Sequence, residues 1–167
     1  MHATGIADFS NAADFFSATV RGIDPFLQSA IDEARTGLRE GGIPIGSVLV
    51  CDGNIVGRGH NLRVQRSSVI HHAEMNCLEN AGRQPADVYR RCTVYSTLSP
   101  CQMCSGAIVL YGIPRVVIGE NQTFVGAEEY MRAKGVQLEV LQDEECIAMM
   151  RDFIRARPEL WNEDIGV

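Results

Sequence analysis

The chain has 167 residues, enough for one domain with a proper core and no need of disulfide staples. Its 21 acidic and 15 basic residues leave a net charge of -6, which argues against a nucleic-acid polymer as partner, since phosphate binding wants a basic surface. No run approaches the ~18 apolar residues of a membrane helix, and the first residues lack the basic, then apolar pattern of a secretory signal.

Residues 1–22 carry Phe9, Ala12, Ala13 and Phe16 at helical spacing, and read as either a short packing helix or a frayed arm ahead of a single domain over 23–167. Asp24-Pro25 is an N-cap followed by Pro at the first helical position. Leu27, Ala30, Ile31, Ala34 and Leu38 then form one apolar stripe, and Gly41-Gly42 stops the helix. Residues 47–51, the turn Asp52-Gly53-Asn54 and residues 55–57 predict a β-hairpin. Gly57 and Gly59 at its exit suggest tight backbone geometry or close approach to something. Asn61, taken alone, reads as a turn residue. Residues 62–70 form a polar, partly basic loop, solvated by default, with a substrate lid as the alternative.

A helix begins near His72 and ends at Asn80-Ala81-Gly82. Residues 93–98 are β-branched and aromatic and predict a strand leading into Ser99-Pro100-Cys101-Gln102-Met103-Cys104, where Ser99 suits an N-cap and Pro100 the first helical position. Two further apolar strands follow at 115–119 and 137–141, with Phe124 in a polar loop and a short helix from Ala127 between them. Asp143 caps a last helix carrying Ile147, Met150, Phe153 and Ile154, which ends at Arg157 because Pro158 cannot continue it. Strands alternating with helices after an opening hairpin define an α/β fold, a three-layer α/β/α sandwich with a mixed sheet of about five strands.

The chemistry concentrates in two places. His72, Cys101 and Cys104 offer one imidazole and two thiolates, three ligands of the kind that hold zinc while leaving a fourth position for water. Cys101 and Cys104 are i, i+3 neighbours at a helix start, where the helix dipole favours thiolates. His71 lies one residue before a ligand, faces elsewhere and is left out of the set. Zinc lowers the pKa of bound water to about 7, and Glu74 is the natural shuttle for the released proton. A structural zinc site or reduced core cysteines are the bland alternatives. The other four of the six cysteines are scattered, as in a reduced, cytoplasmic protein. The spacing H-x-E…P-C-x-x-C is the signature of zinc-dependent nucleobase deaminases.

The chain further resembles the fungal-type cytosine deaminases of the cytidine deaminase superfamily. The stretches that carry this are residues 40–46, Gly57-Arg58-Gly59-His60-Asn61, residues 97–104, residues 111–115, Gly119-Glu120-Asn121 and the tail Trp161-Asn162-Glu163-Asp164-Ile165-Gly166. The resemblance implies a homodimer that deaminates a free pyrimidine base, cytosine to uracil and ammonia. It also implies that Asn61 bonds the pyrimidine edge, Asp164 reaches the leaving amino group, and Phe124 and Trp161 enclose the ring. Ile45 and Leu98 would line the pocket, the tail would act as a lid, and backbone groups near Ala73, Ser99 and Cys101 would fix the base. Two positions depart from the family pattern: Ala73 stands where those enzymes have glycine, and Val64 where they have phenylalanine. Both changes bear on the pocket, so isocytosine or a 5-substituted cytosine stays open as substrate. A tRNA adenosine deaminase, which often has alanine before the glutamate, and a non-catalytic zinc module are the competing classes.

Overall fold

A computed structural model describes residues 22 and 24–167; the expectation for the N-terminal arm lies outside the described residues. The first helix, α1 (Pro25–Arg39), starts as its sequence predicts: the Asp24 carboxylate accepts from the backbone N–H of Phe26 at 2.9 Å and of Leu27 at 3.4 Å. Its buried stripe is Leu27, Ala30, Ile31, Ala34 and Gly37. Leu38, expected on that stripe, is exposed, because Gly37 is the residue that takes the place under the His60 ring.

The hairpin strands β1 (Gly46–Cys51) and β2 (Asn54–His60) join through Asp52 and Gly53, both at positive φ (49° and 77°), the geometry of a two-residue turn that matches strand twist. A one-turn helix, α2 (Arg63–Arg66), then leads to α3 (Ala73–Ala81), and a further short helix, α4 (Ala86–Tyr89), precedes β3 (Cys92–Leu98). The remainder alternates: α5 (Gln102–Leu110), β4 (Arg115–Glu120), α6 (Glu128–Ala133), β5 (Gln137–Val140), α7 (Glu144–Ala156) and α8 (Pro158–Ile165).

The sheet order is β2-β1-β3-β4-β5, with β1 antiparallel to both β2 and β3, and β3, β4 and β5 parallel. Side chains alternate across it as the strand period requires. Val48, Val50, Tyr95 and Val117 face α1 and the Cys146 side of α7. Leu49, Val94, Val116 and Ile118 face the opposite layer, with Cys77 of α3, Ile108 of α5 and Met131 of α6. The three-layer α/β/α sandwich read from the sequence is the observed architecture.

Two local expectations are corrected. Helix α5 begins at Gln102 with Cys101 as its N-cap, two residues later than the Ser99-Pro100 start. The Ser99 hydroxyl is engaged elsewhere, donating to Glu128 Oε1 at 2.9 Å and accepting from the Gly126 N–H at 3.0 Å. Pro158 does end α7, but it also opens α8 at the first helical position, where a missing N–H costs nothing. The tail, to which the sequence reading gave no secondary structure, is therefore helical. The spacing of Leu160, Trp161, Asp164 and Ile165 carried that signal.

Candidate metal centre and adjoining cavity

Two helix N-termini converge outside the carboxyl end of β3, the side of an α/β sheet where ligands sit. His72 is the N-cap residue of α3 and Cys101 that of α5, both with extended backbone, so each side chain projects from a helix start rather than along its flank. The approach of α3 depends on the strand beneath it. A Cβ on Gly57 would stand 2.6 Å from the Cys77 carbonyl oxygen, and one on Gly59 would stand 2.4 Å from the Cys77 nitrogen. The glycines at the hairpin exit are thus what lets α3 lie flat on β2 and carry His72 and Glu74 inward.

The ligand atoms of His72, Cys101 and Cys104 lie within 4.8 Å of one another. His72 Nδ1 is 3.5 Å from Cys101 Sγ, close to the ~3.6 Å edge of a tetrahedron built from ordinary Zn–N and Zn–S bonds. One imidazole and two thiolates are also the donor types zinc prefers. The Cys101 thiol is drawn down to about 4, chiefly by the hydrogen bond from Cys104 and then by that with His72, against the opposing effect of burial. Cys104 is pushed well up by sharing its proton with Cys101 and by burial. At His72 burial lowers the pKa, but the bond to Cys101 and the charges of Asp164 and Glu74 carry it upward. One site thus concentrates negative charge that a divalent cation would neutralise. His71 stays outside the cluster.

Glu74 is almost wholly buried, and burial, followed by the nearby Cys101 charge, raises its pKa above the ordinary carboxylate value. Its Oε1 accepts from the Ser96 hydroxyl at 3.0 Å. Ser96, on β3 and fully buried, was not singled out from the sequence; nothing local marks a strand serine as the partner of a glutamate on another element.

Beside the metal cluster is a small, partly open cavity of about 20 Å³. Its floor is His72, Ala73, Glu74 and Cys101; Ile45, Leu98 and Ser99 form one side. Phe124 and the α8 residues Trp161, Asp164 and Ile165 close it. The Phe124 and Trp161 rings meet edge to face, centroids 5.7 Å apart at 86°. The loop bearing Phe124 is fixed by buried Glu120, which accepts from the backbone N–H of Gln122 and Thr123 and from the Thr123 hydroxyl.

Two of the sequence-derived pocket residues stand apart from the cavity wall. Asn61 is fully buried behind Asp164: its Nδ2 donates to Asp164 Oδ1 at 3.0 Å, and its Oδ1 accepts from the Arg63 N–H at 3.0 Å. Val64 is 41% exposed and absent from the lining, because the single turn of α2 aims Arg63 at the tail and Val64 outward. Of the two departures from the family pattern, only Ala73 touches the cavity.

The fold, the donor set and the buried glutamate define a zinc-dependent deaminase. Residues 22–120 match the model of the cytidine and deoxycytidylate deaminase zinc-binding region, and the chain belongs to that family. It is 53% identical over 141 residues to a cytosine deaminase of Candida albicans, spanning 84% of this chain and 94% of that protein. A tRNA-specific adenosine deaminase of Bacillus subtilis is 35% identical over 141 residues, 78% of this chain and 87% of the relative. Among solved structures, a tRNA deaminase acting at the wobble position superposes with a TM-score of 0.65 at 28% identity, covering 75% of this chain and 98% of that one.

Proposed function

We propose that this enzyme hydrolyses the exocyclic amine of free cytosine, giving uracil and ammonia. The observation that carries the reading is the roof: α8 lays Trp161, Asp164 and Ile165 over the cavity, so a free base can be covered by this helix, whereas a base tethered to a polynucleotide would hold it open. A flat apolar slot with a few convergent polar groups is how a small base is held. The likeness to the Candida albicans cytosine deaminase, which extends over 94% of that protein, supports the same substrate.

Zinc on His72, Cys101 and Cys104 would supply a Lewis acid that lowers the pKa of water to about 7. The rest is done by the chain. Glu74, held by Ser96 and raised in pKa by burial, takes a proton from the attacking water. It delivers that proton to the ring nitrogen, then takes the proton of the hydroxyl now bound to the ring carbon and delivers it to the departing amine, so that the carbonyl forms as ammonia leaves. Asp164 Oδ1 is occupied by Asn61 and Arg63, which leaves Oδ2 to accept from the substrate amine. Phe124 and Trp161 exclude water from the ring.

The test is ammonia release by zinc-loaded protein offered cytosine, 5-fluorocytosine, isocytosine, cytidine and guanine, with inosine formation in tRNA as a further arm. Turnover of cytosine and not of cytidine is expected. Preference for cytidine, or inosine in tRNA, would overturn the reading; preference for isocytosine would assign the role of Ala73 to substrate choice.

Exposed Leu110 and Tyr111, beside a surface groove lined also by Met75 and Leu78 of α3, support assembly as a homodimer through α3 and α5. The unpaired state of all six cysteines supports a reducing, cytoplasmic setting.

A further inference from the structure

Helix α8 is joined to the body by apolar contacts and, among the described residues, by four polar ties from earlier elements and loops that end on Glu163 or Asp164. Arg63 supplies two of them. Arg63 Nη1 donates to the Glu163 carbonyl oxygen at 2.9 Å and to Asp164 Oδ1 at 3.2 Å. Its Nε donates to the Ser68 carbonyl oxygen at 3.2 Å, which fixes the guanidinium from its own loop. Its backbone N–H donates to Asn61 Oδ1, turning the Asn61 amide so that Nδ2 meets Asp164. The remaining tie, His72 Nε2 to Asp164 Oδ1, is longer at 3.7 Å. Among the described residues, Arg63 is the only one whose side chain reaches the α8 backbone from another element.

The cavity under α8 is about 20 Å³, room for roughly one water and far below the ~300 Å³ at which ligand pockets begin. A base therefore needs this cavity widened, and Trp161, Asp164 and Ile165 of α8 form a large part of the wall that would move. The junction for that movement is in place: α7 ends at Ala156, Arg157 is non-helical (φ −139°, ψ 59°), and Pro158 contributes no N–H to bind α8 to α7.

We infer that Arg63 is a positioning residue, a clasp that closes α8 over the cavity and, through Asp164 and Asn61, sets the carboxylate that faces the substrate. The inference rests on the proposed base-binding role of the cavity only for its kinetic arm. The planar fork matters, because one guanidinium bridges a loop carbonyl, a helix carbonyl and a carboxylate at once, which an ammonium cannot reproduce. Arg63 makes no contact with the metal ligands' donor atoms, so its loss should leave the centre intact.

Trp161, the single tryptophan of the chain, sits in α8 and is buried, so its fluorescence reports closure directly. In zinc-loaded full-length protein without ligand, Arg63→Ala should red-shift Trp161 emission and raise its acrylamide quenching constant at least twofold, with Arg63→Lys intermediate. Zinc content should stay at the wild-type level. With cytosine, KM should rise tenfold or more while kcat changes less, because opening is eased and closing weakened. Unchanged quenching in Arg63→Ala, or loss of kcat at unchanged KM, would overturn the clasp. If the wild-type protein turned over no pyrimidine yet Arg63→Ala still exposed Trp161, the clasp would stand and the substrate reading alone would fall.

Discussion

Asn61 Nδ2 donates to Asp164 Oδ1 at 3.0 Å across 103 residues of sequence, and both side chains are buried. The bond ties the exit of the opening hairpin to the last helix of the chain. A buried hydrogen bond to a charged group is worth about 1.5–3 kcal/mol, and an unpaired buried partner loses more. Asn61→Ala should therefore lower kcat/KM for cytosine by about 10- to 100-fold, and Asn61→Asp by more, since it sets a second carboxylate against Asp164. Steady-state kinetics on both variants checks this; equal activity in Asn61→Asp would show that the bond does not hold Asp164 in place.

Glu74→Gln keeps the size and burial of the side chain but removes the proton carrier. Activity should fall by about 10²–10⁴-fold, the usual contribution of general acid–base catalysis, while zinc stoichiometry and the fold persist. Ammonia release and metal analysis on the same preparation measure both. Turnover at the wild-type rate with zinc bound would remove Glu74 from the mechanism.

Ser96 donates to Glu74 Oε1 and so holds the carboxylate in place. Ser96→Ala should lower kcat by about tenfold with little change in KM, in line with loss of a charge-assisted bond. Ser96→Thr, which retains the hydroxyl, should recover most of it. Failure of threonine to do better than alanine would point to packing, not to the hydroxyl.

Removing zinc with a chelator should abolish turnover and lower the thermal midpoint, because a ligand bound only by the native state stabilises it. Cys101, whose thiol is drawn down to about 4, should then react with a thiol reagent faster than Cys77 or Cys146, whose pKa values burial pushes up. Thiol counting before and after metal removal checks this; identical counts would place the metal elsewhere.

Glu128 accepts from Ser99 Oγ and from Asn121 Nδ2 at 3.0 Å, and it pairs with Arg132. Burial alone would raise its pKa, but Asn121, Ser99 and Arg132 together hold it below its ordinary 4.5. A carboxylate depressed in the folded state contributes stability above its unfolded pKa and loses it as pH falls through the folded value. The thermal midpoint of the wild type should exceed that of Glu128→Gln at neutral pH, with the gap narrowing below about pH 4.5. Parallel midpoint curves down to acid pH would contradict this.

Short stretches of sequence suffice for the local structure. The Asp24-Pro25 start of α1, the Asp52-Gly53 turn and the alternation of β3 and β4 follow from capping, turn geometry and period, each settled within a few residues. The metal ligands were legible for the same reason: Cys101 and Cys104 share one helical turn, and His72 and Glu74 share another. The roles proposed for Asn61, Phe124, Trp161 and Asp164 come only from resemblance, because no local pattern assigns a turn asparagine or a tail aspartate to a ligand. Which distant groups meet depends on the packed fold. It put Ser96 against Glu74, Glu128 against Ser99, and Arg63 against Glu163 and Asp164, while turning Val64 outward. Such pairings depend on strand order and on how closely α3 can lie on the glycines of β2. Those are properties of the folded chain, in which residues about a hundred positions apart become neighbours.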